Sequence, residues 1–126
     1  DPVDYADAVA ALARQLQSQG VVYSEVFFSI GILLWRGVAI EPYWEAAEAA
    51  RLAAETESGV RIRWIFDAVR QFGASHLESV VDWALRLQAS GSVLGIGIGG
   101  DEKQHPAAFF APGYALAAIT AHDRSA

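Results

Sequence analysis

The sequence predicts an α/β fold, specifically half of a TIM-type (β/α)8 barrel with about four αβ units and parallel strands. Amphipathic helical segments alternate with short apolar segments. The apolar segments recur about every 30 to 40 residues, as strands joined by crossover helices do. A full barrel needs about 250 residues, and this chain has 126. We therefore expect residues 1–126 to form a single half-barrel domain, with a divergent tail over residues 115–126. We expect self-association to complete the barrel.

Capping residues and glycines mark the first two helices. Asp1 and Pro2 suit the N-cap and first position of a helix that ends near Gly20. Pro42 suits the start of a second helix that ends near Gly59, where glycine fits the residue after a helix. These two segments are the helices that precede the first two strands.

The second half of the chain shows weaker helix signals. Residues 75–78 read Ser-His-Leu-Glu, a capping box for a helix that ends near Gly91, and this places His76 in an exposed turn. Residues 106–114 suit a fourth helix, interrupted at Pro112 and Gly113. The following residues, 115–122, favour a short strand over a continued helix.

The first two strands each carry or precede an acidic residue. Val21–Phe28 is β-branched and aromatic, with Glu25 as its one charge. A buried acid needs a partner, so we expect Glu25 either to pair with Arg63 on the next strand or to serve as a substrate-binding residue. Val60–Phe66 forms the second strand, and Asp67 follows at its end.

Residues 30–35 read Ile-Gly-Ile-Leu-Leu-Trp and lie where a connecting loop is expected. Loops are normally polar because they run over the surface. We expect another subunit or the remainder of a larger fold to cover this apolar loop.

The third strand, residues 92–99, ends in Gly100, Asp101 and Glu102. Glycine at positions 95, 97 and 99 leaves one face of this strand without side chains, which suits either tight packing or the approach of a ligand. The glycines lie inside the strand rather than in a turn that opens a helix, which argues against a dinucleotide site. Barrel chemistry lies at strand carboxyl ends, so Asp67, Asp101 and Glu102 are the predicted catalytic residues.

Composition narrows the class of protein. The net charge is −6 without a basic run, which argues against nucleic acid or an anionic membrane surface as a partner. The chain has no cysteine, which removes thiolate zinc sites and cysteine nucleophiles. No apolar run approaches the roughly 20 residues that span a bilayer, so a cytoplasmic protein is expected. Position 1 is not methionine, which fits a trimmed start or a piece of a longer chain.

Four segments resemble the middle of the adenosine deaminase family, a group of metal-dependent hydrolases on (β/α)8 barrels: residues 20–29, 65–73, 95–102 and 110–112. The similarity runs in order from about residue 8 to about residue 114. It implies that the Gly100 backbone N–H contacts a purine and that Asp101 and Glu102 shape the same end of the pocket.

The family's metal and proton-handling residues are mostly absent. The resemblance implies zinc held by a His-x-His pair, a further histidine and a late aspartate. Only His122 matches one of these, and the expected His-Ala-Gly-Glu continuation reads His122-Asp123-Arg124-Ser125. Native adenosine deamination is therefore not expected. A divalent metal such as zinc would have to be held by His122 and Asp123, between chains.

Three functions stay open at this point. The first is a repurposed hydrolysis of a small molecule, assisted by a metal or by a carboxylate acting as general base. The second is a non-catalytic scaffold that associates with itself. The third is a fragment that binds a purine without chemistry.

Overall fold

The computed structural model describes residues 1–100, 108 and 111–115. The elements in chain order are helix α1 (Pro2–Ser18), strand β1 (Tyr23–Phe28), helix α2 (Ile30–Arg36), helix α3 (Ile40–Ser58), strand β2 (Arg61–Val69), helix α4 (Ala74–Leu87) and strand β3 (Val93–Gly99). Two 3-10 turns, Arg70–Phe72 and Gln88–Ser90, flank α4, and residues 111–115 are helical. The predicted α/β fold is confirmed.

The three strands form one parallel sheet in the order β1-β2-β3. The register of β2 against β3 runs from Trp64 opposite Val93 to Val69 opposite Gly99, with one irregularity after Trp64. Burial alternates along β2, because every second side chain faces the core. Strand β2 extends to Val69, so Asp67 lies within it and not after its end, as the sequence had suggested.

The described residues group into two compact units. Residues 1–26 and 37–63 form the first unit, and residues 27–36 with the chain from residue 64 onward form the second. In the first unit α1 packs on α3, where the rings of Tyr5 and Tyr43 meet edge to face with centroids 5.0 Å apart.

The helix ends in the first unit follow the sequence signals closely. The Val3 N–H donates to the Asp1 carboxylate over 3.0 Å, which confirms Asp1 as the N-cap of α1. Gly59 has a φ of 69° at the end of α3, a conformation that glycine adopts without strain. Helix α3 begins at Ile40, two residues before the predicted start. Proline is tolerated at position 42 because the first turn needs no internal N–H donor.

The core of the second unit is aromatic and aliphatic. The Phe28 ring lies 5.7 Å from that of Trp64 and 5.5 Å from that of Phe66, centroid to centroid. Helix α4 places its apolar face in the same unit, where Leu77 and Val80 are fully buried. Burial of each such side chain contributes roughly 1.5 to 3 kcal/mol to folding.

The apolar segment over residues 30–35 is a helix, so the predicted loop is wrong. Ile30 is 0% exposed and Leu33 is 2% exposed within the chain itself. Their apolar character is therefore explained by the chain's own core. Trp35 differs, since it is 62% exposed, and one face of its ring stacks on Phe72 at 4.0 Å.

The predicted capping box is also wrong. Helix α4 begins at Ala74, after Gly73, and no side chain caps it. Ser75 lies inside the helix, where its carbonyl accepts a hydrogen bond from the Ser79 hydroxyl over 3.2 Å. His76 is therefore carried inward and is buried, contrary to the exposed position expected for it.

The end of the chain is only partly described. Residues 111–115 are helical through Pro112 and Gly113, where the sequence had suggested an interruption. Ala115 belongs to this helix, and the strand expected to follow it lies outside the described residues, as does most of the tail. Within the described ranges, no helix is both long and apolar enough to cross a membrane. The single domain and its completion by self-association stay predictions.

Gly31 of α2 lies directly against the backbone of β2, which makes it a sensitive position. A Cβ atom there would lie 2.6 Å from the Asp67 carbonyl oxygen and 2.9 Å from the His76 Nε2 atom. We expect Gly31→Ala to lower the free energy of unfolding by about 1 to 3 kcal/mol, the usual effect of overpacking. Urea denaturation measures the change.

Gly95→Ala is the matched control, because its Cβ would meet nothing within 4 Å. It should change the free energy of unfolding by less than about 0.5 kcal/mol. Equal destabilisation by the two substitutions would contradict the packing described for α2.

Candidate functional site

The pairing of β2 with β3 forms a sheet face on which β2 carries side chains and β3 carries none. Asp67 lies opposite Gly97, and Val69 lies opposite Gly99. Paired residues on neighbouring strands project to the same face of a sheet. The face of β3 formed by Gly95, Gly97 and Gly99, here named the glycine face, therefore carries no side chain of its own.

The three glycines of the glycine face differ in how close neighbouring side chains come to them. A Cβ on Gly95 would meet no described residue within 4 Å, whereas one on Gly97 would lie 3.0 Å from the Phe27 ring. Among the described residues, the Asp67 Oδ1 atom is the one neighbour within 4 Å that a Cβ on Gly99 would have, at 4.0 Å. Within the described part of the chain, the space over Gly99 is bordered by this carboxyl group and by no other side chain within 4 Å.

Gly100 bends the chain directly after β3. Its φ of 109° is one that residues with a Cβ rarely adopt. The Gln71 side-chain amide occupies the space where a Cβ would project. Gly100 therefore has a structural need for glycine, and its predicted contact with a purine stays a prediction.

Asp67 is the predicted catalytic residue that the structure places at this face. Its side chain is half-buried, and this burial raises the pKa of the carboxyl group above its usual range. No hydrogen bond or ion pair engages the carboxyl group within residues 1–100, 108 and 111–115. Asp67 is therefore poised to accept a hydrogen bond from a ligand.

Glu25 does not match its predicted environment. It is exposed, and its carboxylate accepts a hydrogen bond from the Tyr23 hydroxyl over 3.4 Å. Arg63 lies 3.9 Å from a Glu55 oxygen instead. The predicted buried pair of Glu25 with Arg63 is wrong. Glu25 belongs to the first unit, and a role for it in substrate binding stays a prediction.

The other predicted site residues lie outside the described residues: Asp101, Glu102, His122 and Asp123. Among the residues that the structure does describe, no three histidine, cysteine, aspartate or glutamate side chains cluster so as to hold a metal ion. The described part of the chain therefore does not fit a metal, and no chemical step is derived through one.

Sequence reasoning missed His76, which lies beneath the turn that follows β2. Its Nε2 atom accepts a hydrogen bond from the Val69 N–H over 3.3 Å, and the Phe72 ring packs edge to face against it. Burial lowers the pKa of the imidazole. The signal was available, because His76 and Val80 are four residues apart and share the apolar face of a helix. No sequence pattern indicated that Gln71 would lie beside Gly100.

The chain matches a known family along nearly its whole length. Residues 2–125 match the model of the family described as adenosine deaminase. The chain belongs to the adenosine deaminase family. This membership confirms the resemblance and agrees with the parallel sheet and crossover helices of the fold.

Curated relatives include two kinds of deaminase. An aminodeoxyfutalosine deaminase of Acidothermus cellulolyticus is 34% identical over 118 residues, which cover 90% of this chain and 32% of the relative. An adenine deaminase of Mesorhizobium japonicum is 31% identical over 100 residues, which cover 79% of this chain and 31% of the relative. The chain thus spans about a third of the length of these relatives.

Solved structures of this family share the fold. An adenine deaminase from Arthrobacter aurescens has a TM-score of 0.84 and 25% identity, over 95% of this chain and 36% of that one. An amidohydrolase from Burkholderia ambifaria, with bound Zn, has a TM-score of 0.87 and 22% identity, over 96% of this chain and 33% of that one. At these coverages, the chain corresponds to about a third of a TIM-barrel amidohydrolase.

The environment of Asp67 predicts a pH-dependent effect of its replacement. Asp67→Asn should raise the free energy of unfolding at pH 7, because it removes a charge that burial disfavours. In the folded chain the pKa of Asp67 is raised, so the folded state takes up the proton first and the wild type gains stability as the pH falls. The difference should disappear below the unfolded-state pKa of about 3.9.

Urea denaturation at pH values between 7 and 3 measures this difference. Asp82→Asn is a suitable control, because Asp82 is exposed and pairs with Arg86 over 2.7 Å. That substitution should be neutral or slightly destabilising. A loss of stability in Asp67→Asn at pH 7 would contradict the assignment of Asp67 as a desolvated carboxylate that has no partner among the described residues.

Proposed function

We propose that this chain supplies the wall on which the base lies in a hydrolytic deaminase of adenine or of an adenine-bearing compound. The observation that carries the proposal is the space over Gly99, which among the described residues is bordered within 4 Å by Asp67 alone, at 4.0 Å from the position of a Cβ. A flat ring can lie directly on backbone that has no side chain. The proposal concerns the whole protein, of which this chain covers one part.

The surroundings of Gly99 suit a planar, polar heterocycle. Phe27 borders the neighbouring Gly97 and is 62% exposed, so its ring can contact a base. Asp67 can accept a hydrogen bond from an amino group or a ring N–H. Gln71, beside Gly100, offers both a donor and an acceptor. An apolar surface with a few placed polar groups is typical of small-molecule sites.

The relatives support the choice of substrate class. Their names state that they deaminate adenine or aminodeoxyfutalosine. In a hydrolytic deamination, the oxygen of water forms a bond to the ring carbon, the bond from that carbon to the amino nitrogen breaks, and ammonia leaves. Strand carboxyl ends are where barrel enzymes bind substrates, and Gly99 ends β3.

The chain's own residues would bind and orient the base. Asp67 would form a hydrogen bond with the base, and burial raises the pKa of its carboxyl group. The roles predicted for Asp101 and Glu102, and the metal site predicted at His122 and Asp123, stay predictions. Metal-assisted hydrolysis by this chain alone is likewise a prediction and forms no part of the present mechanism.

Gly99→Ala tests the proposed base-binding wall directly. Among the described residues the added methyl group would meet Asp67 alone, at 4.0 Å, and it would fill the space assigned to the ring. We expect the affinity of the chain for adenine to fall at least tenfold, or about 1.4 kcal/mol. Isothermal titration calorimetry with adenine and adenosine measures this change.

Gly95→Ala is the matched control on the same face. It adds the same methyl group in open space away from Asp67, so adenine affinity should stay within about twofold of the wild type. The base-binding wall would be refuted if Gly99→Ala and the wild type had equal affinity for adenine. It would also be refuted if adenine gave no heat with the wild type or with either variant.

We further propose, as a second candidate function, that the chain associates with itself through exposed apolar side chains of the second unit. Trp35 is 62% exposed, and its ring is held flat against Phe72 at 4.0 Å, which presents a rigid apolar surface. Rigid, exposed aromatic side chains are typical centres of protein interfaces.

The substitution Trp35→Asp tests this association. Burial of a charge in an apolar interface is unfavourable, so we expect the association constant measured by sedimentation velocity to fall at least tenfold. Val3→Asp is the control, because Val3 is a similarly exposed apolar residue on α1, in the first unit. A monomeric wild-type chain, or an unchanged oligomer in Trp35→Asp, would overturn the proposal.

A further inference from the structure

His76 is buried beneath the end of the strand that carries Asp67, and it uses one ring nitrogen on the main chain. Its Nε2 atom accepts a hydrogen bond from the Val69 N–H over 3.3 Å. A histidine nitrogen accepts only when it carries no proton, so the neutral ring holds its proton on Nδ1. The imidazole is therefore an uncharged acceptor fixed in one tautomer.

The hydrogen bond between Val69 and His76 lies at the carboxyl end of β2. Val69 is the last residue of β2 and pairs with Gly99, the last residue of β3. Asp67 lies two residues before it, and Gln71 lies two residues after it in the 3-10 turn. The hydrogen bond at Val69 thus lies midway along the segment that carries both polar groups bordering the glycine face.

The ring is held from two further sides. A Cβ on Gly31 would lie 2.9 Å from Nε2, so α2 contacts the imidazole with bare backbone. The Phe72 ring lies 5.0 Å away, edge to face, and itself stacks on Trp35. The imidazole cannot easily turn away from Val69 in such packing.

We propose that His76 is a positioning residue for the glycine face: its uncharged imidazole holds the Val69 N–H, and protonation of the ring releases the carboxyl end of β2. The consequence for base binding rests on the proposed function, whereas the hydrogen bond and its release do not. Protonation converts Nε2 into a donor, which would then face the N–H of Val69.

The direction of the pH dependence follows from burial. The charged groups on the elements around His76 are Arg61, Arg63 and Asp67 on β2, Arg36 on α2, Arg70 in the 3-10 turn, and Glu78, Asp82 and Arg86 on its own helix. Burial is the cause that lowers the pKa of His76. The folded state resists protonation, so the chain loses stability as the pH falls below the unfolded-state pKa of about 6.5.

Nitrogen-15 NMR on the full chain tests the proposal without any ligand. At pH 8 we expect the signature of an unprotonated Nε2 and a protonated Nδ1 in His76. As the pH falls towards 5, protonation of the ring should accelerate hydrogen exchange at the Val69 amide relative to that of Phe66 in the same strand. A proton on Nε2 at pH 8, or a Val69 amide that does not respond to ring protonation, would overturn the proposal.

Two substitutions of His76 distinguish its role as a hydrogen-bond acceptor from its role in packing. His76→Leu removes the acceptor, and the loss of one hydrogen bond should speed exchange at Val69 about fivefold relative to Phe66. His76→Gln keeps an acceptor oxygen at a similar reach and should stay within about twofold of the wild type. Equal exchange in the two variants would contradict the role of the acceptor.

Val80→Ala is the control for general destabilisation. Val80 is fully buried on the same helix, so its truncation lowers stability while His76 keeps its acceptor. Exchange at Val69 and at Phe66 should then rise together. If His76→Leu does not fold, the tautomer and pH response of the wild type still decide the proposal.

Adenine titrations distinguish this inference from the proposed function. Weaker binding in His76→Leu, with recovery in His76→Gln, supports the positioning role. Binding that is equal in the wild type and both variants would overturn it. Absence of binding in the wild type would refute the base-binding wall alone, and the exchange data would then decide whether His76 controls the strand end.

Discussion

The parallel register of β2 against β3 is the constraint on which the site depends. It places Asp67 opposite Gly97 and Val69 opposite Gly99, so a carboxyl group stands beside backbone that has no side chains. A shift of one residue would turn Asp67 towards the core face, where a carboxylate without a partner would be strongly unfavourable. The alternating burial along β2 therefore fixes both the fold of the second unit and the chemistry of its open face.

Close packing of α2 and α4 around the end of β2 supports this register. Gly31 brings α2 within contact of the Asp67 carbonyl, and His76 occupies the N–H of Val69. The same strand thus presents Asp67 to the open face while its backbone is held by α2 and α4. If this face binds a ligand as proposed, it requires such rigid support, because the groups that contact a ligand must not rearrange on binding.

Much of the fold could be predicted from the sequence, because strand and helix patterns are local. The three strands and the caps at Asp1 and Gly59 followed from such patterns, and the family was recognisable from its motifs. The helix over residues 30–35 was missed because its apolar run has no polar face. The inward position of His76 was missed because a capping box and a helix interior look alike in sequence. The contact of Gln71 with Gly100 depends on how a turn folds back, which no local pattern encodes.

The most direct test of the central claim is to map adenine onto the chain by NMR. If the backbone at Gly99 is the surface on which a base lies, the amide signals of Gly99 and Gly100 should shift on addition of adenine, with ring-current shifts at Phe27 in the second unit. The amide of Gly20, in a turn of the first unit, should not move. Shifts confined to residues outside the glycine face, or none at saturating adenine, would contradict the account.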